Sequence, residues 1–206
     1  MPSPQLVLGT QNRKKGWELA ELLAPLGTAV RTLAELPHAV DVEEDGATFA
    51  ENAANKATVQ ARALSAWVLG EDSGLEVDAL RGAPGIYSAR FSGATATDES
   101  NNRLLLERLS GVPPDRRTAR YVCHATLSDP QGRVQAEAEA YCRGRITESP
   151  RGGGGFGYDP LFEIVEYRRT FGEMGPAVKA CLSHRGRALR SLLPEFSRLI
   201  GAGHWR

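Results

Sequence analysis

The chain has 206 residues, with 25 Lys and Arg against 25 Asp and Glu, so its formal net charge is zero. A balanced charge argues against a surface that coats DNA or RNA, but it leaves room for a local basic pocket that binds one small anion. Hydrophobic residues make up 41% and charged residues 24%, as in folded rather than disordered proteins. The length suits one domain of ordinary to large size or at most two small ones, and we expect a single domain over residues 1–206.

Targeting and redox features of the sequence favour the cytoplasm. No apolar run approaches the roughly 20 residues of a membrane span, so we expect no membrane partner. The N-terminal segment carries its charges after its short apolar run, unlike a secretory leader. Cys123, Cys142 and Cys181 are widely spaced and form no C-x-x-C pair. We therefore expect buried thiols, with neither a disulfide framework nor a zinc site.

The first elements alternate between strand and helix. The apolar run 5–8 predicts a buried strand, and apolar residues at helical spacing predict a helix from about Lys14. Pro25-Leu26-Gly27 should end that helix. A second strand is predicted at 29–32. This alternation indicates a mixed α/β fold.

A helix and a strand follow an acidic loop at residues 41–46. Thr48 and Glu51 have the spacing of a capping box in front of an Ala-rich helix over 52–66. The apolar run Trp67-Val68-Leu69 predicts another buried strand, which should run into a sharp turn at 70–74.

The sequence pattern in the second half of the chain predicts a β-hairpin between two helices. The first helix is expected at 98–109, and the last follows Ser183 to about Ile200, bent or interrupted at Pro194. Between them, apolar residues alternate over 119–127 and again over 134–142, across an Asp-Pro-Gln-Gly turn. This alternation predicts a β-hairpin with one solvated face.

The turn after the first strand is polar and basic, and consists of Thr10, Gln11, Asn12, Arg13, Lys14 and Lys15. A polar turn that leads into a helix is suited to an anion, because the first helical N–H groups have no helical partners and the helix dipole is positive there. No Walker A pattern occurs in the chain. When the turn is taken alone, an ordinary loop with solvated lysines is the better explanation.

Carboxylates cluster in two places, the acidic loop and the end of the third predicted strand. A sharp turn after an apolar strand would present Asp72 at the edge of the sheet where ligands of α/β proteins collect. Carboxylates, together with water and phosphate oxygens, are ligands that Mg²⁺ prefers. Glu43 and Glu44 can also be a solvated acidic loop, and Glu51 can cap its helix as readily as take part in catalysis.

An aromatic segment and a basic segment could recognise a nucleotide base. Phe156-Gly157-Tyr158-Asp159 follows four glycines, and its rings could stack on a base while Asp159 bonds the base edge. A turn whose rings pack into the core fits the same pattern. Lys179, His184 and Arg185 are donors at the start of the last helix that could meet carbonyl or phosphate oxygens.

Taken together, six segments resemble one family, the non-standard purine nucleoside triphosphate pyrophosphatases, which hydrolyse dITP, ITP and XTP. In chain order, the segments are 10–15, 48–53 with Lys56, 71–80, 82–93, 155–160, and Lys179 with 183–186. Each segment alone is weak evidence for the resemblance, but six segments in the family's order are specific evidence for it. This family often has two Asp residues where this chain has Glu71-Asp72, and Gly152–Gly155 is unusually rich in glycine.

The resemblance implies a fold and a reaction. The fold is α/β, with a mixed twisted sheet, flanking helices and two lobes around a central cleft. The reaction is hydrolysis of the α–β phosphoanhydride to a nucleoside monophosphate and pyrophosphate. It requires Mg²⁺, and the family usually forms homodimers.

The resemblance also implies a role for each matching residue. Asp72 would be the catalytic residue and a metal ligand, with Glu44 as a second ligand. Ser73, Lys56 and the turn 10–15 would bind the substrate, the last two through its triphosphate. The purine would be held by Phe156, Gly157, Tyr158, Asp159, Lys179, His184 and Arg185.

Two alternatives differ in substrate or in activity. A related pyrophosphatase could act on modified pyrimidine nucleotides, although His184-Arg185 and the 156–159 segment argue against that reading. A module that only binds or senses nucleotides is the other alternative, against which the retention of Glu44, Asp72, Lys15 and Lys56 argues. We expect no nucleic-acid partner, given the zero net charge.

Overall fold

The computed structural model describes residues 5–203 and residue 205. The prediction about a secretory leader rests partly on residues 1–4, which lie outside the described residues. The strands are β1 (Gln5–Leu8), β2 (Ala29–Thr32), β3 (Trp67–Val77), β4 (Thr118–Ser128), β5 (Val134–Ile146), β6 (Phe162–Ile164) and β7 (Arg169–Thr170). The helices are α1 (Arg13–Leu23), α2 (Phe49–Leu64), α3 (Asp98–Arg108), α4 (Pro176–Leu182) and α5 (His184–Gly201).

The described strands form one mixed sheet in the order β2-β1-β3-β4-β5-β6-β7. β1 runs parallel to β2 and to β3, with Leu6 opposite Val30 and Trp67. β5, β6 and β7 pair antiparallel. The sheet and its helices confirm the mixed α/β class. Within the described part of the chain, no helix is both long enough and apolar enough to span a bilayer.

The chain forms two compact units. The first unit contains the residues up to Asp72, Cys123–Ala140 and the chain from Arg185 onward. Its core is aliphatic around β1, α1 and α5, with Trp67 and Trp205 stacked at a centroid distance of 4.8 Å. Burial of this apolar surface is the main stabilising contribution that holds these elements together.

The second unit contains Ser73–Val122 and Tyr141–His184. Its core is richer in aromatic rings than that of the first unit. Tyr121 lies 4.6 Å from Phe162 and 6.1 Å from Phe171 between ring centroids. Ring pairs in this range add roughly 0.5–1.5 kcal/mol beyond their buried area.

Close packing of α2 against β3 sets the position of the candidate catalytic carboxylate. A Cβ on Gly70 would lie 2.2 Å from the carbonyl oxygen of Ala53 and 2.6 Å from the amide nitrogen of Ala57. Only glycine permits this approach of two backbones, and the small alanines of the helix face it. This contact explains the small residues at 53 and 57 of α2, and it places the helix against the strand just before Asp72.

Several sequence predictions about the elements need correction. The turn predicted at 70–74 is wrong, because β3 continues to Val77 and Asp72 lies inside the strand. The hairpin is confirmed, but β4 has no solvated face over its second half, where Thr126 and Ser128 are fully buried. Pro194 lies inside α5 without interrupting it.

Two further predictions about the end of the chain also change. Lys179 was expected at the start of the last helix, yet it lies in the separate short helix α4, and α5 begins directly after Ser183. The expectation of three buried thiols is right for Cys123 and Cys142 but wrong for Cys181, which is exposed.

Candidate active site

The polar turn after β1 is capped by its own asparagine. The side-chain oxygen of Asn12 accepts from the amides of Lys14 at 3.0 Å and Lys15 at 3.1 Å. Asn12 therefore already satisfies two of the helical N–H groups that were expected to be available to an anion. Gln11 donates to Asp41 of the acidic loop at 2.7 Å, and the hydroxyl of Thr10 accepts from the Asn12 amide. Arg13 and Lys14 are exposed.

Asp72 and Glu44 share one cation. The ammonium of Lys56 lies 2.9 Å from an oxygen of Asp72 and 2.9 Å from an oxygen of Glu44. Asp72 is buried, whereas the Glu44 side chain is 39% exposed. The second oxygen of Asp72 accepts from the side-chain amide of Asn52 at 3.1 Å. The structure thus brings together three of the residues that the sequence analysis selected.

The charges of this group shift the pKa values of its members. Burial raises the pKa of Asp72 above its ordinary value, against the attraction of Lys56 and Lys15. Burial acts to lower the pKa of Lys56, but the negative charges of Asp72 and Glu44 outweigh it, so this pKa is raised. Lys56 therefore keeps its positive charge, and the carboxylate of Asp72 is more basic than that of an exposed aspartate.

Glu71 lies at the centre of a second buried network. One of its oxygens lies 3.2 Å from the ammonium of Lys15, and the other accepts from Arg185 at 3.1 Å. Arg185 also donates to Glu18 at 2.5 Å. Burial acts to lower the pKa of Arg185, but Glu71 and Glu18 outweigh it and raise that pKa. Glu71 therefore positions Lys15, one of the candidate phosphate-binding cations.

The donor set near Asp72 fits a hard divalent cation. Asp72 and Glu44 each place a carboxylate oxygen 2.9 Å from the Lys56 ammonium, so the two carboxylates are directed at the same cation. Mg²⁺ is usually held by one or two carboxylates, with water and substrate phosphates completing its shell. Over residues 5–203 and 205, no group of three or more His, Cys, Asp or Glu side chains could hold a metal. The residues present fit a metal that is bound jointly with a nucleotide.

The second unit holds a separate group around Asp159. The ammonium of Lys179 lies 2.6 Å from Asp159, and the same carboxylate oxygen accepts from the Phe156 amide at 2.8 Å. Lys179 also lies 4.6 Å from the centroid of the Phe156 ring. Tyr121 donates to Asp159 at 3.4 Å and stacks on His184 at 4.6 Å. A cation, an aromatic face and an imidazole are thus assembled through one buried carboxylate.

The remaining predicted base-binding residues have other contacts. Tyr158 is buried in the core of the second unit, and its hydroxyl donates to the Ser88 carbonyl at 2.8 Å. The Gly157 carbonyl accepts from Asn102. The structure places Arg185 in the network of Glu71 and Glu18, within the first unit. Ser73 is partly buried in β3.

Glu51 makes its hydrogen bonds at the N-terminus of α2, where Thr48 is the N-cap residue. The Thr48 side chain accepts from the Glu51 amide at 3.1 Å, as a capping box requires. The reciprocal bond differs from the prediction, because the Glu51 carboxylate accepts from the amide of Ala47 at 2.6 Å rather than from that of Thr48. These contacts occupy Glu51 at the start of α2.

Sequence reasoning missed Asn52, Glu18 and Tyr121 as members of these groups. Asn52 is fully buried and lies four residues before Lys56, on the same face of α2. That spacing is visible in the sequence and could have indicated the residue. Glu18 and Tyr121 carry no local signal, because their partners lie far away along the chain.

Comparison with known proteins gives consistent matches over almost the whole chain. The Ham1 family profile matches residues 6–195. A protein of Rhodopirellula baltica named dITP/XTP pyrophosphatase is 55% identical, covering 95% of this chain and 94% of its own length. One of Desulforamulus reducens with the same name is 50% identical, covering 95% and 96%. The structure of a HAM1 protein from Coxiella burnetii superposes with a TM-score of 0.85 at 36% identity, covering 95% of this chain and 99% of that one.

Proposed function

The chain belongs to the Ham1 family, and we propose that it hydrolyses the non-standard purine nucleoside triphosphates dITP, ITP and XTP to their monophosphates and pyrophosphate. The observation that carries this proposal is the arrangement of Glu44, Lys56 and Asp72. A buried carboxylate of raised pKa stands beside a cation and a second carboxylate, in a chain half or more identical to enzymes named for this reaction.

In this reaction, a water molecule attacks the α-phosphorus. The bond between the α-phosphorus and the oxygen that bridges it to the β-phosphorus breaks. The leaving pyrophosphate takes the electron pair of that bond, and the carboxylate of Asp72 accepts the proton of the water. Lys56 and Lys15 stabilise the negative charge of the triphosphate and of the departing pyrophosphate. Lys15 is oriented for this role by its contact with Glu71.

The activity of a nucleotide pyrophosphatase of this kind generally uses a divalent metal, and we propose Mg²⁺ held by Asp72 and Glu44. Bound there, the ion would supply neutralisation of phosphate charge and a lowered pKa of bound water. Oxygen donors of this type are those that Mg²⁺ prefers. Removal of divalent cations with EDTA should therefore abolish turnover, and added Mg²⁺ should restore it.

We assign recognition of the base to the group of residues around Asp159. Hypoxanthine and xanthine carry an oxygen acceptor at C6, where adenine carries an amino donor. Lys179 and His184 supply donors, and Phe156 supplies a face for stacking. Donors that face an amino group are left unpaired, and such mismatches can reject an analogue by factors of about 10⁴. We assign Arg185 to the buried network of Glu71 and Lys15 rather than to recognition of the base.

The test is pyrophosphate release from dITP, XTP, dATP, dGTP and dUTP, each with Mg²⁺ and with EDTA. We expect release from dITP and XTP that depends on Mg²⁺, with little from dATP and dGTP. Guanine shares the oxygen at C6, so rejection of dGTP must depend on the amino group at C2. Release mainly from dUTP would contradict the base assignment, and binding without release would indicate a sensing module. We further propose that residues 1–206 act as one catalytic domain, as a homodimer in the cytoplasm, without a nucleic-acid partner.

A further inference from the structure

Three polar side chains form a stripe along the inner face of α2. Asn52, Lys56 and Gln60 are spaced by four residues and therefore lie on one side of the helix. Asn52 has 0% of its surface exposed and Gln60 has 2%. A buried amide is costly unless its hydrogen bonds are made, so the partners of these two residues indicate what the stripe does.

Asn52 joins the acidic loop to the catalytic carboxylate. Its side-chain nitrogen donates to Asp72 at 3.1 Å, and its side-chain oxygen accepts from the Gly46 amide at 2.9 Å. The orientation of the amide is fixed by its partners, because a carboxylate accepts and an N–H donates. A Cβ on Gly46 would lie 2.6 Å from the Asn52 oxygen, so the loop meets Asn52 closely at a residue without a side chain.

Gln60 holds the other end of the same loop. Its side-chain oxygen accepts from the Val40 amide at 3.2 Å, and its side-chain nitrogen donates to the Val40 carbonyl. The loop 40–46, which carries Glu44, is thus fixed at both ends by amides two helical turns apart. Lys56 lies between these two amides and binds the Glu44 carboxylate.

The two anchors differ in one respect. Asn52 bonds both the loop and Asp72, whereas the hydrogen bonds of Gln60 given above go only to Val40. Each oxygen of Asp72 has one donor from α2, Lys56 on the first oxygen and Asn52 on the second. These two donors, one helical turn apart, fix the plane of the carboxylate.

We propose that Asn52 is a positioning residue that sets the orientation of Asp72 and the distance of the Glu44 loop from it at the same time. This inference rests on the proposed function, in which both carboxylates act. Supporting partners of this kind typically change activity or metal affinity 10–100-fold when they are removed. Gln60 anchors the loop without orienting Asp72, which makes it the matched control.

The experiment compares Asn52→Leu, Asn52→Asp and Gln60→Leu with the wild-type protein. Asn52→Leu removes both bonds, whereas Asn52→Asp keeps an acceptor for the Gly46 amide but loses the donor to Asp72. Kinetics with dITP at saturating Mg²⁺ should show kcat lowered roughly 30–100-fold in both Asn52 variants, with KM changed less than about 3-fold. Gln60→Leu should keep kcat within about 3-fold.

Amide hydrogen exchange supplies a readout that does not depend on activity. The Gly46 amide should be protected in the wild type and in Asn52→Asp, and should exchange at least about tenfold faster in Asn52→Leu. The Val40 amide should respond instead to Gln60→Leu. Should Asn52→Leu fail to fold, Asn52→Asp still decides the kinetic question.

Two kinetic outcomes would overturn the proposal. In the first, an Asn52 variant keeps its kcat within about 3-fold of the wild type. In the second, Gln60→Leu loses as much kcat as Asn52→Leu, which would make both amides ordinary structural anchors. If the wild type hydrolyses none of the triphosphates, the proposed function fails. The exchange measurement then decides whether Asn52 holds the loop, with an unprotected wild-type Gly46 amide counting against it.

Discussion

The two groups of candidate site residues are built from different interactions. In the first unit, the group consists of three ionised side chains, Asp72, Glu44 and Lys56, in which both carboxylates contact the ammonium. In the second unit, one ion pair between Lys179 and Asp159 is set among the rings of Phe156 and Tyr121. Charges suit the triphosphate, which all nucleoside triphosphates share, and rings with a few donors suit the base, which distinguishes them. Substitutions in the first group should therefore affect turnover, and those in the second should affect recognition.

The largest effect is expected from Asp72→Asn, which breaks the charged group while it preserves the shape of the side chain. The amide cannot take a proton from water, so kcat should fall roughly 10³-fold or more. KM should change little, because Lys15 and Lys56 remain. Steady-state kinetics with dITP measure both constants.

Asp45→Asn is the matched control for this variant, since Asp45 is an exposed carboxylate in the acidic loop that carries Glu44. It should leave kcat within about 3-fold of the wild-type value. Substantial turnover by Asp72→Asn would refute the catalytic role of Asp72.

An intermediate effect is expected in the framework of the second unit. Glu163 is buried and accepts hydrogen bonds from Arg145 and from Arg151, the latter at 2.8 Å. Arg151 directly precedes the Gly-rich segment that leads to Phe156, and Thr170 donates to its carbonyl at 2.7 Å. Glu163→Gln removes the charge that both guanidinium groups meet, and it should lower the free energy of unfolding by about 2 kcal/mol at pH 7.

The effect of Glu163 depends on pH in a defined direction. Burial acts to raise its pKa, but the hydrogen bonds from Arg145 and Arg151 outweigh it, so the folded-state pKa lies below the ordinary value of a glutamate. The stabilisation is therefore present above the unfolded-state pKa and is lost as the pH falls through the folded-state value. Urea unfolding should show the difference between wild type and Glu163→Gln shrinking below roughly pH 4. Glu166→Gln, at an exposed site, should show no comparable difference.

The smallest effect is expected from Phe156→Leu, which tests whether this ring recognises the base. Loss of a stacking face should raise the KM for dITP roughly tenfold and leave kcat within about 3-fold. Tyr167→Leu, at an exposed aromatic side chain of the same unit, should leave both constants unchanged. A fall in kcat alone would place Phe156 with the catalytic group and remove the distinction between the two groups.

Much of the fold could be predicted from local patterns. The first strand, the helix after it, the Ala-rich helix and the hairpin all appear where their periodicity indicated. These features depend on neighbouring residues, whose side chains alternate or recur with the period of the backbone. The sheet class and the family followed from the same local segments. The position of Asp72 did not follow, because glycines that permit a turn also permit the close packing of β3 on α2.

The sequence alone determined the order of the elements from β1 to β5, the family and most candidate residues of the site, because these are recorded in short segments. It did not predict β6, β7 or α4. Only the tertiary structure decided what those residues contact. Arg185 pairs with Glu71 and Glu18 across 114 and 167 positions of the chain, and Asn52 reaches Asp72 across 20. Such contacts depend on which buried polar groups come to face one another. Each buried charge or amide needs a partner, and the fold decides which one is within reach.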